Sequence, residues 1–289
     1  MFSIIITTYH EPETLTKTIE IILKEEITEP YEMLVVGPDQ ATEDIVKKFQ
    51  KNNTQIFYLK DEHRGKPAAL NLAFQHARGD ILILTDGDVI IKQGSIKQLI
   101  MPFHNQRVGA VTGRPITTNP KNNLFGYWAH FLTNAAHQLR LKSKSFPCSG
   151  YLYAFRKNLI SSIPAYTLSE DGLITQIIRE KKYQIVYVPE AIVFVKYPTN
   201  FHDWLLQKQR STGGYKQKLN FSINKERNFS GEISGGIKLL FTYPKSIKEF
   251  YWTALLCLAR IYLWLIILIK VKILRQSFAK GWPRIESTK

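Results

Sequence analysis

The sequence predicts an α/β protein built on a doubly wound, mostly parallel sheet flanked by helices. Three observations carry this. Apolar runs of strand length alternate with helix-patterned stretches from the N-terminus to residue 88. The run Ile81-Leu-Ile-Leu-Thr is continuous before Asp86, as suits a parallel strand buried on both faces. The polar candidates then fall just after strand ends, where open α/β sheets bind their ligands.

Taken in order, residues 2–8 read as the first strand, and Glu13–Lys24, after Pro12, as an amphipathic helix. Met33–Val36 is a second strand ending at Gly37-Pro38-Asp39, followed by a helix through Phe49 and a third strand at Gln55–Leu59. Pro67 suits the first turn of the next helix, which runs to Ala77 and stops at Gly79 before the central strand. This β-α alternation implies right-handed crossovers. Beyond the strand Val108–Thr112, Leu124–Leu141 reads as a helix and Pro147–Arg156 as a strand. Ser169 reads as the cap of a helix over Gly172–Glu180, with Glu170 and Asp171 in its first turn. Gln184–Val188 is a strand closed by Pro189. Asn200–Lys218 is helical, with Trp204, Gln207 and Arg210 at i, i+3 steps along one face.

The chain has 289 residues and a net charge of +15, of which +12 lies between 196 and 289, where 17 Lys and Arg face 5 Asp and Glu. Such a district suits an anionic membrane surface or nucleic acid. Two cysteines, Cys148 and Cys257, make no disulfide framework and fit a reducing compartment. The first residues lack the pattern of a signal peptide. Residues 250–269 are long enough to cross a bilayer, although Arg260 near their middle costs about 2.5–3.5 kcal/mol there. Basic residues on both flanks fit a helix lying in the interface equally well. The expected organisation is a catalytic domain over residues 1–218 and a basic C-terminal region over 219–289, attached to the membrane through 250–269.

Asp86-Gly87-Asp88 offers two closely spaced carboxylates, which repel unless a cation lies between them; hard oxygen ligands suit Mg²⁺ or Mn²⁺ shared with a phosphate. An Asp-Gly turn is the plain alternative. Each other element also has a plain reading: Asp39 as a turn acid, Lys66 as a solvated helix start, Glu170-Asp171 as a dipole-favoured pair. Gln207 and Arg210 fit an exposed polar face, Cys148 a small buried residue, and His10, His63, His104, His130, His137 and His202 structural positions.

In order along the chain stand Thr7-Thr8-Tyr9-His10-Glu11, Asp39, Gly65-Lys66-Pro-Ala-Ala-Leu-Asn71, Asp86-Gly-Asp88, Pro147-Cys148-Ser149-Gly150, Ser169-Glu170-Asp171 and Gln207-Lys-Gln-Arg210. Over roughly residues 2–218 they resemble family 2 glycosyltransferases of the GT-A fold, and in particular the catalytic domain of hyaluronan, chitin and cellulose synthases. The resemblance implies inverting transfer of a sugar from a nucleoside diphosphate, a UDP-sugar above all, to an acceptor hydroxyl with Mn²⁺ or Mg²⁺. By resemblance, Thr8, Tyr9, Glu11 and Asp39 surround the base, and Lys66, Gln207 and Arg210 serve the diphosphate. Asp88 holds the metal, with Asp86 near the ribose and the metal's water shell. Asp171 is the general base, and Cys148, Ser149, Gly150 and Glu170 face the acceptor.

Two departures stand out. Ser211 occupies the place of the tryptophan that follows the family's Gln-x-x-Arg, which puts processive elongation in doubt; Trp204, one turn earlier, could supply the acceptor-stacking ring. The chain also lacks the several membrane helices of a secretion channel, so a pore would need membrane partner subunits. The reading is a transferase at the cytoplasmic face of the cell membrane, acting on a glycan or lipid-linked acceptor, with no nucleic-acid partner. A nucleotidyltransferase would normally carry a glycine-rich loop after the first strand, where this chain has Tyr9-His-Glu-Pro12. A non-catalytic lipid- or nucleic-acid-binding module would have no use for Asp86, Asp88 and Asp171 in a cleft.

Overall fold

Strand β1 (Phe2–Thr7) is buried at every position, because it lies between two parallel neighbours inside the sheet. β2 (Tyr31–Gly37) and β4 (Ile81–Asp86) flank it, and β3 (Ile56–Lys60) pairs in parallel with β2. The parallel register sets Thr7 beside both Val36 and Asp86, so three strand ends meet at one edge. Helices α1 (Pro12–Leu23), α2 (Gln40–Gln50) and α3 (Lys66–His76) make the crossovers, as the β-α alternation predicts. The computed structural model describes residues 1–143, 145–214, 238–269 and 286–288.

Beyond β4 the sheet changes character. Its eight strands run in the order β3-β2-β1-β4-β7-β6-β8-β5. β7 (Leu152–Arg156) is antiparallel to β4 and to β6 (Val108–Thr117), and the short β5 (Ile90–Ile91) is antiparallel to β8 (Gln184–Val195). The sheet is therefore mixed, parallel where the sequence alternates and antiparallel where its pattern loosens. β8 does not close at Pro189; it continues to Val195 and pairs with β5 through Val193 and Phe194. Proline's fixed φ is compatible with an extended strand, and it forfeits only one donor. β5 and helix α4 (Ser95–Ile100) carry too little periodicity to be seen in advance; Ser95 is tied to the backbone of Ile192 in both directions (3.0 and 2.9 Å).

Glu32 is buried on β2, where a carboxylate needs partners. It accepts from the Ser3 hydroxyl (2.6 Å) and the Arg78 N–H (2.5 Å), while Ser3 Oγ accepts from Gly79 N–H (2.9 Å). That network fixes where β4 begins.

The chain divides into two compact units, Met1–Ile116 with Pro147–Val195, and Thr117–Phe146 with Lys196–Lys289. The first holds the sheet and α6 (Glu170–Glu180). The second holds α5 (Leu124–Lys142), α7 (Phe201–Gly214) and α8 (Ile247–Leu268). The expected boundary at 218/219 and the helix positions 215–218 lie outside the described residues, as do most of the basic C-terminal positions. Within the second unit, Tyr127, Trp128, Phe131, Trp204, Leu256 and Ala259 form an apolar core. Tyr127 Oη pairs with Thr253 Oγ1 (2.6 Å), and Trp128 Nε1 donates to the Trp252 carbonyl (2.8 Å). α8 buries a stripe of Thr253, Leu256, Ala259, Leu263 and Ile267, and presents Tyr251, Leu258, Ile261, Tyr262, Leu265 and Leu268 outward. It is the one described helix long and apolar enough to cross a membrane.

The single face expected for Trp204, Gln207 and Arg210 is not observed. Trp204 is only 3% exposed and packs between Trp128 (5.2 Å) and Phe201 (5.9 Å, stacked), whereas Arg210 is exposed. Two i, i+3 steps turn the helix far enough to separate their ends. An enclosed indole offers no face to a sugar, so the acceptor-stacking role falls away from Trp204; its ring holds the aromatic core together.

Candidate active site

The site is assembled at the edge where β1, β2 and β4 end. Gly87 N–H donates to the Thr7 carbonyl (2.8 Å), which bends the chain across the end of β1. A Cβ on Gly87 would lie 2.4 Å from Cβ and Oγ1 of Thr8, so only glycine fits between the two acids. The strand stops at Asp86, not Asp88, and Asp88 sits in the turn that follows.

Lys66 opens α3 behind Gly65, whose φ of +89° is a glycine conformation that aims the first turn. Its ammonium lies 2.7 Å from Asp86 Oδ1 and 2.6 Å from Glu170 Oε1. Burial opposes the lysine charge, but Asp86 and Glu170 outweigh it and hold its pKa above the ordinary lysine range. Asp86 also accepts from Thr7 Oγ1 (3.2 Å). Burial pushes the Asp86 carboxyl upward against the pull of Lys66, with the charge of Asp88 adding to the rise. Lys66 thus links the acid-bearing strand to α6.

Farther along α3, Asn71 exchanges both of its amide atoms with the backbone of Ile163 (2.7 and 2.8 Å). This anchors the segment leading into Ser169-Glu170-Asp171. Asn71 closes the Gly65–Asn71 motif, and nothing in the local pattern points to this distant partner.

Asp171 is held from several directions. Oδ1 accepts from Ser169 Oγ (2.6 Å) and Gly172 N–H (2.8 Å), and Oδ2 from Gly150 N–H (3.1 Å). Ser169 therefore stands at the cap position of α6 without capping it, since its hydroxyl is turned to the carboxylate. The neighbouring loop is clamped rung by rung: Cys148 N–H donates to Thr175 Oγ1 (2.9 Å) and Ser149 N–H to Thr112 Oγ1 (2.8 Å). Burial and then the charge of Glu170 raise the Asp171 pKa, against the bonds from Ser169 and Gly172 and the charge of Lys66. A carboxylate pushed up toward neutrality is a stronger base when ionised.

Glu170, expected toward the acceptor, is buried and paired to Lys66. Cys148 is buried, as its plain reading has it. Asp39 caps α2, accepting from Thr42 N–H (3.0 Å), Thr42 Oγ1 (2.9 Å) and His10 N–H (3.2 Å). Thr8 Oγ1 donates to Glu11 Oε2 (3.4 Å). The Tyr9 ring is partly open and packs on His10 (4.3 Å) and His63 (4.9 Å), two residues with left-handed φ of +55° and +57°. Gln207 and Arg210 lie on α7 in the second unit.

Among the described residues, no three His, Cys, Asp or Glu side chains are grouped as a metal cage. A Mg²⁺ or Mn²⁺ ion that shares its shell with substrate phosphates needs only one or two protein carboxylates. Asp86 and Asp88, close enough for one charge to shift the other's pKa, fit that demand.

A parallel sheet edge carrying paired acids, a buried lysine and an oriented carboxylate on the next helix defines a group-transfer enzyme of the α/β class. Residues 3–163, more than half of the chain, match the family model described as glycosyl transferase family 2. The chain belongs to this family. It is 27% identical over 235 residues to a poly-beta-1,6-N-acetyl-D-glucosamine synthase of Staphylococcus aureus, covering 76% of this chain and 57% of the relative. It is 23% identical to an N-acetylglucosaminyltransferase of Bradyrhizobium diazoefficiens, over 72% of this chain and 47% of that one. The chain thus spans about half the length of the curated relatives it matches. The fold is similar to that of S. aureus TarS residues 1–349 in complex with UDP-GlcNAc, at a TM-score of 0.54 and 17% identity, over 87% of this chain and 78% of that one.

Proposed function

We propose that the chain transfers N-acetylglucosamine from UDP-GlcNAc to a hydroxyl of a glycan or lipid-linked acceptor, with inversion and with a divalent metal, at the cytoplasmic face of the membrane. The observation that carries this is the contiguous series Asp86–Lys66–Glu170–Asp171, which joins the acid pair of β4 to the carboxylate that α6 orients. Both sequence relatives are named for N-acetylglucosamine chemistry, and the solved structure of similar fold is a UDP-GlcNAc complex.

Asp171 takes the acceptor proton: Oδ1 is occupied by Ser169 and Gly172, while Oδ2, with one bond from Gly150, keeps a lone pair for the hydroxyl. The acceptor oxygen bonds to the anomeric carbon as the bond from that carbon to the diphosphate breaks, and UDP leaves with the electron pair. No covalent enzyme intermediate is needed. Lys66 supplies fixed positive charge beside the leaving diphosphate. Asp86 and Asp88 would hold Mg²⁺ or Mn²⁺, which when bound supplies charge neutralisation to the departing phosphates. Tyr9, with the two imidazoles packed on it, is the ring surface offered to the base. The outward apolar stripe of α8 and the basic residues Lys245 and Lys248 before and within its first turn suit an anionic membrane surface.

The test is a thermal-shift panel of nucleotide sugars with and without Mn²⁺, followed by UDP release with N-acetylglucosamine oligosaccharides. UDP-GlcNAc should stabilise most, by mass action, and more with Mn²⁺ than without. Asp171→Asn should keep that shift and lose transfer; transfer at wild-type rate in this variant removes Asp171 from the base role.

A further inference from the structure

Tyr153 lies in the middle of β7, 1% exposed. The register pairs it with Leu84 on β4 and Thr112 on β6, so these side chains share one face of the sheet, and Asp86 lies two residues beyond Leu84 on that face. α3 packs there too, with Phe74 edge-on to Phe155 (5.6 Å), and Phe155 stacks beside Tyr153 (6.2 Å). Tyr153 is therefore the floor beneath the point where Lys66 of α3, Asp86 of β4, and Glu170 and Asp171 of α6 converge. Its hydroxyl is buried and has no hydrogen-bond partner among the described residues. Burial, then the charges of Glu170, Asp171 and Asp86, keep it protonated, so the hydroxyl is a donor. An unsatisfied buried hydroxyl costs free energy that phenylalanine would not. Yet the group sits under a cluster of carboxylates whose paired cation, Lys66, also serves the diphosphate.

We propose that Tyr153 is a positioning residue for the transfer, donating its hydroxyl to the Glu170 carboxylate once the bound diphosphate shares Lys66. This keeps Glu170 seated beside Asp171 while the lysine turns toward phosphate. The inference rests on the reading of Asp171 as the base.

The experiment is Tyr153→Phe in the full chain, assayed by UDP release from UDP-GlcNAc with Mn²⁺ and by thermal melting, beside Asp171→Asn. Loss of a hydrogen bond to a charged group in the reacting complex predicts a kcat lower by roughly tenfold or more. KM for UDP-GlcNAc should stay within about twofold, and the melting temperature should be unchanged or higher, because removing an unpaired buried hydroxyl is neutral or stabilising. Difluorotyrosine at position 153, which restores a donor, should restore kcat. Wild-type kcat in Tyr153→Phe overturns the proposal, as does a variant that melts earlier or fails to fold, since the hydroxyl would then already have a partner in the resting enzyme. If Asp171→Asn turns over at the wild-type rate, the base reading fails instead; if it is inactive while Tyr153→Phe is fully active, only the role of Tyr153 falls.

Discussion

Replacing Lys66 with methionine removes the cation that two carboxylates share while keeping most of its side-chain volume. Its ammonium contacts Asp86 at 2.7 Å and Glu170 at 2.6 Å, with 21%, 23% and 7% of the three side chains exposed. At an effective dielectric near 20, each contact attracts by about 6 kcal/mol before desolvation. Desolvation offsets much of that, and breaking a buried pair typically costs roughly 3–5 kcal/mol because a charge is left uncompensated. Partial exposure of Lys66 and Asp86 places Lys66→Met at the lower end, about 3 kcal/mol, or roughly 6–12 °C in melting temperature for a unit of this size. The check is urea denaturation at neutral pH of the wild type, Lys66→Met, Glu170→Gln and the double variant. In the Glu170→Gln background only Asp86 is orphaned, so the cost of losing Lys66 should shrink by about 1–2 kcal/mol, within the range of coupling between contacting groups. A Lys66→Met protein within about 1 kcal/mol of wild type, or strictly additive effects, would refute the claim that this lysine joins strand β4 to α6.

Gly87→Ala forces a Cβ to within 2.4 Å of Thr8, so it should destabilise by about 1–3 kcal/mol and weaken UDP binding; calorimetry with UDP checks both. Asp39→Ala removes the α2 cap and should cost about 1 kcal/mol at pH 7. Burial raises the Asp39 pKa, but the bonds from Thr42 and His10 bring it below the ordinary carboxylate value. Its contribution is therefore present above the unfolded pKa near 4 and lost as pH falls through the folded one. The gap between wild type and Asp39→Ala should close on acidification below about pH 4, and a pH-independent gap would contradict this. Leu258→Glu and Leu265→Glu, at positions 63% and 53% exposed on α8, should leave stability within about 0.5 kcal/mol. They should reduce cosedimentation with anionic vesicles; undiminished binding would take α8 out of membrane attachment.

The chain sequence by itself determined the parallel half of the sheet and the place of the acids. A strand buried on both faces is largely apolar, its few polar side chains paired within the core as Ser3 and Glu32 are. The edge where polar residues accumulate is the end that faces a ligand. The sequence also determined where the candidate site residues stand, because Asp86-Gly-Asp88, Lys66 and Glu170-Asp171 fall at strand ends and helix starts. What it left open depended on partners distant along the chain. The span of β8 past Pro189 is set by pairing with two residues a hundred positions away, and the burial of Trp204 is completed by the Trp128 ring of α5 laid opposite Phe201 of its own helix. Glu170 reads as a solvated first-turn acid until tertiary packing lays Lys66 against it. A local pattern specifies period and polarity; whether a charge or a ring ends up facing water, a ligand or another side chain is decided only when the elements close on one another.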